Sequence, residues 1–221
     1  PYPLRVGVVG DSGFGEKITA EMAQAMAGQE LDFVLHTGDL VYSVKENRDP
    51  SEAFALKLYN PFAPVFKTMP FYPVPGNHDL SSDTYWNGSP FYFTAFPPFG
   101  DSTFPSRQDP PEEPWYAFGY GDIQFLMLNS QAFYGVGDRL AQDAWLAERL
   151  ADERFALSIP VCHIPPFNSG LHTDGAPVRA AWVPLFDPLR VPLVVSGHDH
   201  NYQRTIVGEI TYLVSGGGSS I

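Results

Sequence analysis

The 221-residue chain reads as an α/β protein with a largely parallel sheet. Two observations predict this class. Short apolar or β-branched runs alternate with longer segments of helical spacing. Most of those runs end in a glycine-flanked polar cluster, as strand ends in open α/β sheets do. In order the clusters are Asp11-Ser12-Gly13, Gly38-Asp39-Leu40-Val41-Tyr42, Gly76-Asn77-His78-Asp79, His163 before Ile164-Pro165-Pro166, and Gly197-His198-Asp199-His200.

Residues 5–10 (RVGVVG) are a β-branched run suited to a buried parallel strand. Across 16–28, Ile18, Met22, Ala25 and Met26 share a helical face, and Gly28 suits the C-terminal stop. Residues 31–36 give a second strand, and 49–62 a helix with Pro50 at its start and Pro61 near its end. A third short strand covers 71–74. Residues 80–114, rich in Pro, Gly, Phe and Tyr without a period, read as a long ordered loop of the kind that is uncommon unless functional. Residues 115–120 and 123–129 form a hairpin turning at Gly121-Asp122. Residues 138–153 are helical with Leu140, Ala144, Ala147 and Ala151 on one face. Strands follow at 155–161 and 191–196, although Pro160 weighs against the first. A second hairpin joins 202–207 to 210–215 around Gly208-Glu209. No repeat or linker interrupts the chain, so 1–221 is expected to be a single domain, and a stop just after a strand implies a missing C-terminal segment.

Thirteen basic against twenty-five acidic residues leave a formal charge of −12. Such a surface repels nucleic acid and anionic lipid unless a local site reverses the field. No apolar run approaches the ~20 residues needed to span a bilayer. No signal-peptide pattern is present, but a start at Pro1 leaves a removed leader or a trimmed chain open. Cys162 is the sole cysteine, which excludes an internal disulfide. Its place beside His163 admits a thiol nucleophile, against the commoner role of a small buried apolar residue.

Asp11, Asp39, Asn77, His163 and His198 each fall within a few residues of an expected strand end. Oxygen donors and imidazoles without cysteine suit iron, manganese or zinc. An aspartate can bridge two ions ~3.5–4 Å apart. His198 and His200, at i and i+2, face one side in extended geometry and can supply one nitrogen to each ion. Singly, Asp39 suits an N-cap, Asn77 a turn, Tyr42 a half-buried ring and His163 a loop. Their joint occurrence at this spacing argues for the site. His36 lies outside the set and reads as a hydrogen-bonded core histidine. The rings around Tyr85, Trp86, Phe91 and Tyr92 read as a pocket wall, with self-packing of the loop as the alternative.

The ordered motifs resemble the calcineurin-like metallophosphoesterases, and within them the purple acid phosphatases. Two details carry the narrower likeness: Asp11-Ser12-Gly13 stands where most of the superfamily has Asp-x-His, and Tyr42 follows Asp39 by three residues. The likeness extends through Trp115-Tyr116-Ala117-Phe118 to Gly197-His198-Asp199-His200-Asn201-Tyr202-Gln203-Arg204. It lacks the N-terminal β-sandwich of the larger plant enzymes and the usual C-terminal segment.

The resemblance implies a four-layer α/β/β/α sandwich and a pair of metal ions. Asp11, Asp39, Tyr42 and His200 would hold Fe³⁺. Asp39, Asn77, His163 and His198 would hold Fe²⁺, Zn²⁺ or Mn²⁺, with Asp39 bridging. Two carboxylates and a phenolate then leave the centre about two charges positive. The implied activity is hydrolysis of phosphate monoesters, a metal-bound hydroxide attacking phosphorus while His78 assists. Similar enzymes carry a histidine beside the ligands in the loop of His172, giving it a substrate-contact or proton-donor role, or else that of a plain surface histidine. The alternatives are a phosphodiesterase or nucleotide hydrolase on the same centre, or a non-catalytic phosphate- or metal-binding protein. The expected partner is a small phosphorylated substrate, with neither nucleic acid nor membrane, and the resemblance suggests a secreted or periplasmic location.

Overall fold

The computed structural model describes residues 3–42, 49–81, 85–86, 89–96 and 115–219. β1 (Val6–Val9), β2 (Phe33–His36) and β3 (Phe71–Pro73) form a parallel sheet in that order. β4 (Tyr85–Trp86) and β5 (Ser89–Pro90) make a short ladder of their own. The larger sheet uses β6 (Tyr116–Tyr120), β7 (Ile123–Met127), β8 (Leu157–Val161), β9 (Leu193–Ser196), β10 (Tyr202–Val207) and β11 (Ile210–Ser215), in spatial order β10-β11-β9-β8-β7-β6. Its centre is parallel, while the β6–β7 and β10–β11 hairpins at its two ends are antiparallel.

Strand alternation explains the layering. Val6, Val8, Phe33 and Leu35 turn inward and meet Phe125, Met127, Ile159, Val161 and Val195 of the larger sheet. Val9 and Val34 turn outward against α1 (Lys17–Ala27), where a side chain at Gly7 would lie 2.7 Å from Met26. On the far side, α5 (Arg139–Leu150) and α6 (Ala176–Trp182) cover the larger sheet through Leu146, Val178 and Trp182. The two sheets thus pack face to face between helical layers, the α/β/β/α sandwich.

The helices differ from their expected faces. Ile18 is exposed, and the buried stripe of α1 is Thr19 and Ala23 with Met22 and Met26 beside them. The Thr19 hydroxyl reaches the carbonyls of Ser12 and Gly218, so a hydrogen bond to the first polar cluster turns the helix. In α5, Leu140 is 68% exposed, and Gln142, Leu146 and Arg149 are buried instead. Gln142 accepts from the Asn129 N–H at 2.7 Å and donates to the Asn129 carbonyl at 2.9 Å. Satisfying that buried backbone outweighs the apolar gain of an alanine face.

Residues 49–62 are not one regular helix. α2 (Pro50–Phe54), capped by Asp49, runs into a π-helical turn at Ala55–Tyr59, and α3 (Ala63–Phe66) follows. The wide turn places Lys57, whose ammonium donates to the Tyr42 carbonyl at 2.6 Å. α4 (Tyr92–Ala95) lies within the expected loop. Pro160 sits inside β8 after all. The N–H groups of Ser158 and Cys162 bond Arg190 and Val195 carbonyls on the β9 side, where the two strands share one register pair, so the donor missing at Pro160 falls where the ladder is thin.

Candidate metal centre

The loops leaving β1, β2, β3, β8 and β9 converge at one edge of the sandwich. Asp11, Asp39 and His198 have φ of 59°, 54° and 71°, and they are the only non-glycine residues with positive φ among those described. Asp and His tolerate this region better than most residues, yet each such position costs about 1–3 kcal/mol. Strain is therefore concentrated where the side chains meet. Two glycines make the meeting possible. A Cβ at Gly76 would lie 2.1 Å from Asp39 Oδ1, and one at Gly13 would lie 2.5 Å from the Tyr42 nitrogen. No side chain fits at position 13, so a histidine there is excluded and Tyr42 occupies the space beside Asp11.

One group of donors comprises Asp11, Tyr42 and His200. The Tyr42 hydroxyl is 3.2 Å from Asp11 Oδ1 and 2.7 Å from His200 Nε2, while His200 Nε2 and Asp11 Oδ1 are 3.7 Å apart. Phe14 stacks on the Tyr42 ring at 4.3 Å, and His78 meets it edge-on at 4.6 Å. The other oxygen of Asp11 accepts from the His198 N–H at 2.9 Å.

The second group comprises Asp39, Asn77, His163 and His198. His163 Nε2 faces Asn77 Oδ1 at 3.0 Å, Asp39 Oδ2 at 3.5 Å and His198 Nδ1 at 3.1 Å. His163 Nδ1 lies 2.8 Å from the Thr37 carbonyl, an acceptor that fixes the proton on Nδ1 and aims Nε2 into the site. Asp39 Oδ1 accepts from the His78 N–H at 2.9 Å. Ligand atoms of Asp11, Asp39 and His163 all lie within 4.8 Å of one another, so the two groups adjoin.

The electrostatics suit a cation. Burial pushes the Asp11 carboxyl well above its usual range, with Asp39 adding to the effect and His163 opposing it. Burial also raises the Tyr42 phenol, reinforced by Asp11 and Asp39. For Asp39 burial acts upward, but His163 and His78 outweigh it and hold the carboxyl at about 2. Burial alone would lower His163, yet Asp39 and Asp11 raise it to about 10. Without metal, burial therefore disfavours the charged forms of Asp11 and Tyr42, and ions held by these oxygens would displace their protons. Carboxylate, phenolate, amide and imidazole donors with no thiolate fit hard or borderline metals.

The remaining candidates separate clearly. His78 is partly exposed, with its backbone tied to Asp39 and its ring against Tyr42. His172 is exposed, its ring 4.0 Å from that of His198 and its N–H 3.2 Å from Asp199 Oδ1. His36 is buried, as expected, with Nε2 2.8 Å from Ser12 Oγ and Nδ1 accepting from the Gly38 N–H. Cys162 is fully buried, and burial pushes its thiol up to about 12, which removes the nucleophile reading. Phe91 and Tyr92 pack into the core beside Phe54 and α1 rather than forming a pocket wall, because the Tyr92 hydroxyl finds the Pro73 carbonyl there. The side chains of Tyr85 and Trp86 lie outside the described residues.

Two participants escaped the sequence reading. Asp79 is buried and accepts from the N–H groups of Leu40, Val41 and Gly76 at 2.8–3.1 Å, clamping the Asp39 loop to the Asn77 loop. Its position directly after His78 was the available signal. Asp174 faces His198 Nε2 from the loop before α6, and nothing local in the sequence marks it.

The chain matches the calcineurin-like phosphoesterase family over residues 4–202 and belongs to it. Within that class it is similar to purple acid phosphatase 4 of Arabidopsis thaliana, 25% identical over 245 residues that cover 98% of this chain and 67% of that protein. An uncharacterized protein of Mycobacterium tuberculosis is 30% identical over 151 residues, covering 62% of this chain and 28% of its own length. Among solved structures, a purple acid phosphatase from yellow lupin seeds superposes with a TM-score of 0.68 at 20% identity, covering 99% of this chain and 45% of that one. GAP50, the anchor in the inner membrane complex of Plasmodium, gives 0.70 at 21% identity, covering 98% and 72%. At these identities the structural likeness shows the fold.

Proposed function

We propose that the chain hydrolyses phosphate monoesters at a dinuclear metal centre of the purple acid phosphatase type. The observation that supports this most directly is the convergence of seven donor side chains in two adjoining groups at strand ends, three of them on strained backbone. Asp11, Asp39, Tyr42 and His200 would hold a ferric ion, and Asp39, Asn77, His163 and His198 would hold Fe²⁺, Zn²⁺ or Mn²⁺. Such ions supply an activated water and Lewis-acid neutralisation of phosphoryl charge.

The protein's own groups do the rest. Asp39 faces His163 Nε2 through one oxygen at 3.5 Å and fixes the His78 backbone through the other, which accepts from its N–H at 2.9 Å. His78 projects beside Tyr42 without joining either donor group, so its ring is free to hydrogen-bond a phosphoryl or leaving-group oxygen. His172, exposed against His198, would contact a substrate bound at the second ion. A centre about two charges positive favours a monoester dianion over a diester monoanion.

Loading the chain with iron and zinc, measuring metal content and assaying matched aryl mono- and diesters across acidic pH tests the reading. Two ions per chain and a higher kcat/KM for the monoester are expected, and Asp39→Asn should lose both ions. A sustained diester preference would transfer the assignment to a phosphodiesterase, and full metal loading without turnover would make the chain a binding protein.

A further inference from the structure

Outside the donor groups, one carboxylate meets the centre with no role in it so far. Asp174 lies between His172 and the start of α6, with Oδ1 and Oδ2 at 3.2 and 3.1 Å from His198 Nε2. Carboxylate oxygens only accept, so the proton of the His198 ring sits on Nε2. Nδ1 is then left with its lone pair, and Nδ1 is the atom that faces His163 Nε2 at 3.1 Å. The ring is held on its other side by His172, with centroids 4.0 Å apart.

The loop carrying Asp174 is itself anchored. The Tyr134 hydroxyl donates to the Asp174 carbonyl at 2.5 Å. Gly175 passes so close to the Pro165 carbonyl that a Cβ there would lie 2.1 Å away, tying this loop to the one that carries His163. The backbone that carries Asp174 is therefore fixed beside His198.

We propose that Asp174 is a positioning residue: it fixes the tautomer and ring orientation of His198 so that Nδ1 is presented to the second metal position. Metal-ligating histidines commonly donate their other ring N–H to a carboxylate, and losing that partner typically weakens metal binding by ~10–100-fold. The inference rests on the dinuclear reading above, but half of it concerns the protein without metal. A direct ligand role for Asp174 is the competing interpretation, since Asp174, His172 and His198 also present ligand atoms within 4.8 Å of one another.

The test uses the full chain, Asp174→Ala and Asp174→Asn. Imidazole nitrogen NMR on the metal-free proteins should show His198 protonated at Nε2 in the wild type and in Asp174→Asn, whose amide oxygen still accepts. Asp174→Ala should show a mixture of tautomers. Zinc competition titrations should show two ions in every variant, with the weaker affinity reduced ~10–100-fold in Asp174→Ala and partly restored in Asp174→Asn. An Nδ1-protonated ring in the wild type, or equal zinc affinity in all three, overturns the positioning role. A third zinc ion lost on substitution overturns it in favour of a ligand role. A wild type that holds no pair of ions while showing the expected tautomers would sink the dinuclear reading and leave the Asp174–His198 pairing standing.

Discussion

Acid should destabilise this chain through His36, a residue outside the metal site. Its ring is fully buried, and both nitrogens are used in the neutral form: Nε2–H donates to Ser12 Oγ and Nδ1 accepts from the Gly38 N–H. Burial pushes its pKa from 6.5 down to about 3, with His163 reinforcing the shift and Asp39 opposing it. Because the folded value lies below the unfolded one, the unfolded chain takes up the proton first. The stabilising contribution is therefore complete above pH 6.5 and is lost as pH falls from there toward 3. At pH 5, one and a half units below the unfolded pKa, the loss is about 2 kcal/mol. Urea unfolding of the metal-free protein at pH 7.5 and pH 5.0 measures it. His36→Gln keeps a donor toward Ser12 and cannot titrate; it should be less stable than the wild type at pH 7.5. On going to pH 5.0 the wild type should lose about 2 kcal/mol more than the variant, since both share every other titrating group. Equal losses would refute the buried neutral ring as the source of acid sensitivity.

Three further outcomes follow from the site. Tyr42→Phe should bleach the visible phenolate-to-iron band of the iron-loaded protein and leave its unfolding temperature near that of the wild type, whereas an unchanged spectrum would exclude Tyr42 as a ligand. His78→Ala should keep both ions and lower kcat by roughly 10²–10⁴, more for alkyl than for aryl phosphates because poorer leaving groups need a proton; equal losses would leave only electrostatic stabilisation. Gly13→Ala should cost about 1–3 kcal/mol, because the new methyl meets backbone that cannot move aside, and should lower occupancy of the first ion. Wild-type melting and metal content in that variant would show the loop to be looser than its geometry.

The strands and the polar clusters were readable because both depend on local signals. A β-branched run such as RVGVVG marks a buried strand by itself, and Gly-Asn-His-Asp marks a turn with donors on it. The helix faces were not readable by the same means. Alanine spacing in 138–153 indicated one stripe, but Gln142 had a buried backbone to satisfy at Asn129, thirteen residues away. Polar residues whose partners are set by tertiary structure carry no periodic signature. Asp174 is the same case at the site: it acts through His198, twenty-four residues on, and its neighbours give no hint of that.

Position 13 shows why a local departure from a pattern can still be informative. Glycine there would be a loss if each motif acted alone, since a potential ligand is missing. In three dimensions the vacated volume is filled by the backbone of Val41 and Tyr42, and the Tyr42 N–H donates to the Gly13 carbonyl at 2.9 Å. The two loops can close to that distance only because position 13 has no side chain, and the closure is what brings the Tyr42 hydroxyl to 3.2 Å from Asp11. The absence of a side chain at Gly13 and the seating of Tyr42 are thus one packing arrangement. A histidine placed at position 13 would not add a ligand to the tyrosine already present; it would push Tyr42 out.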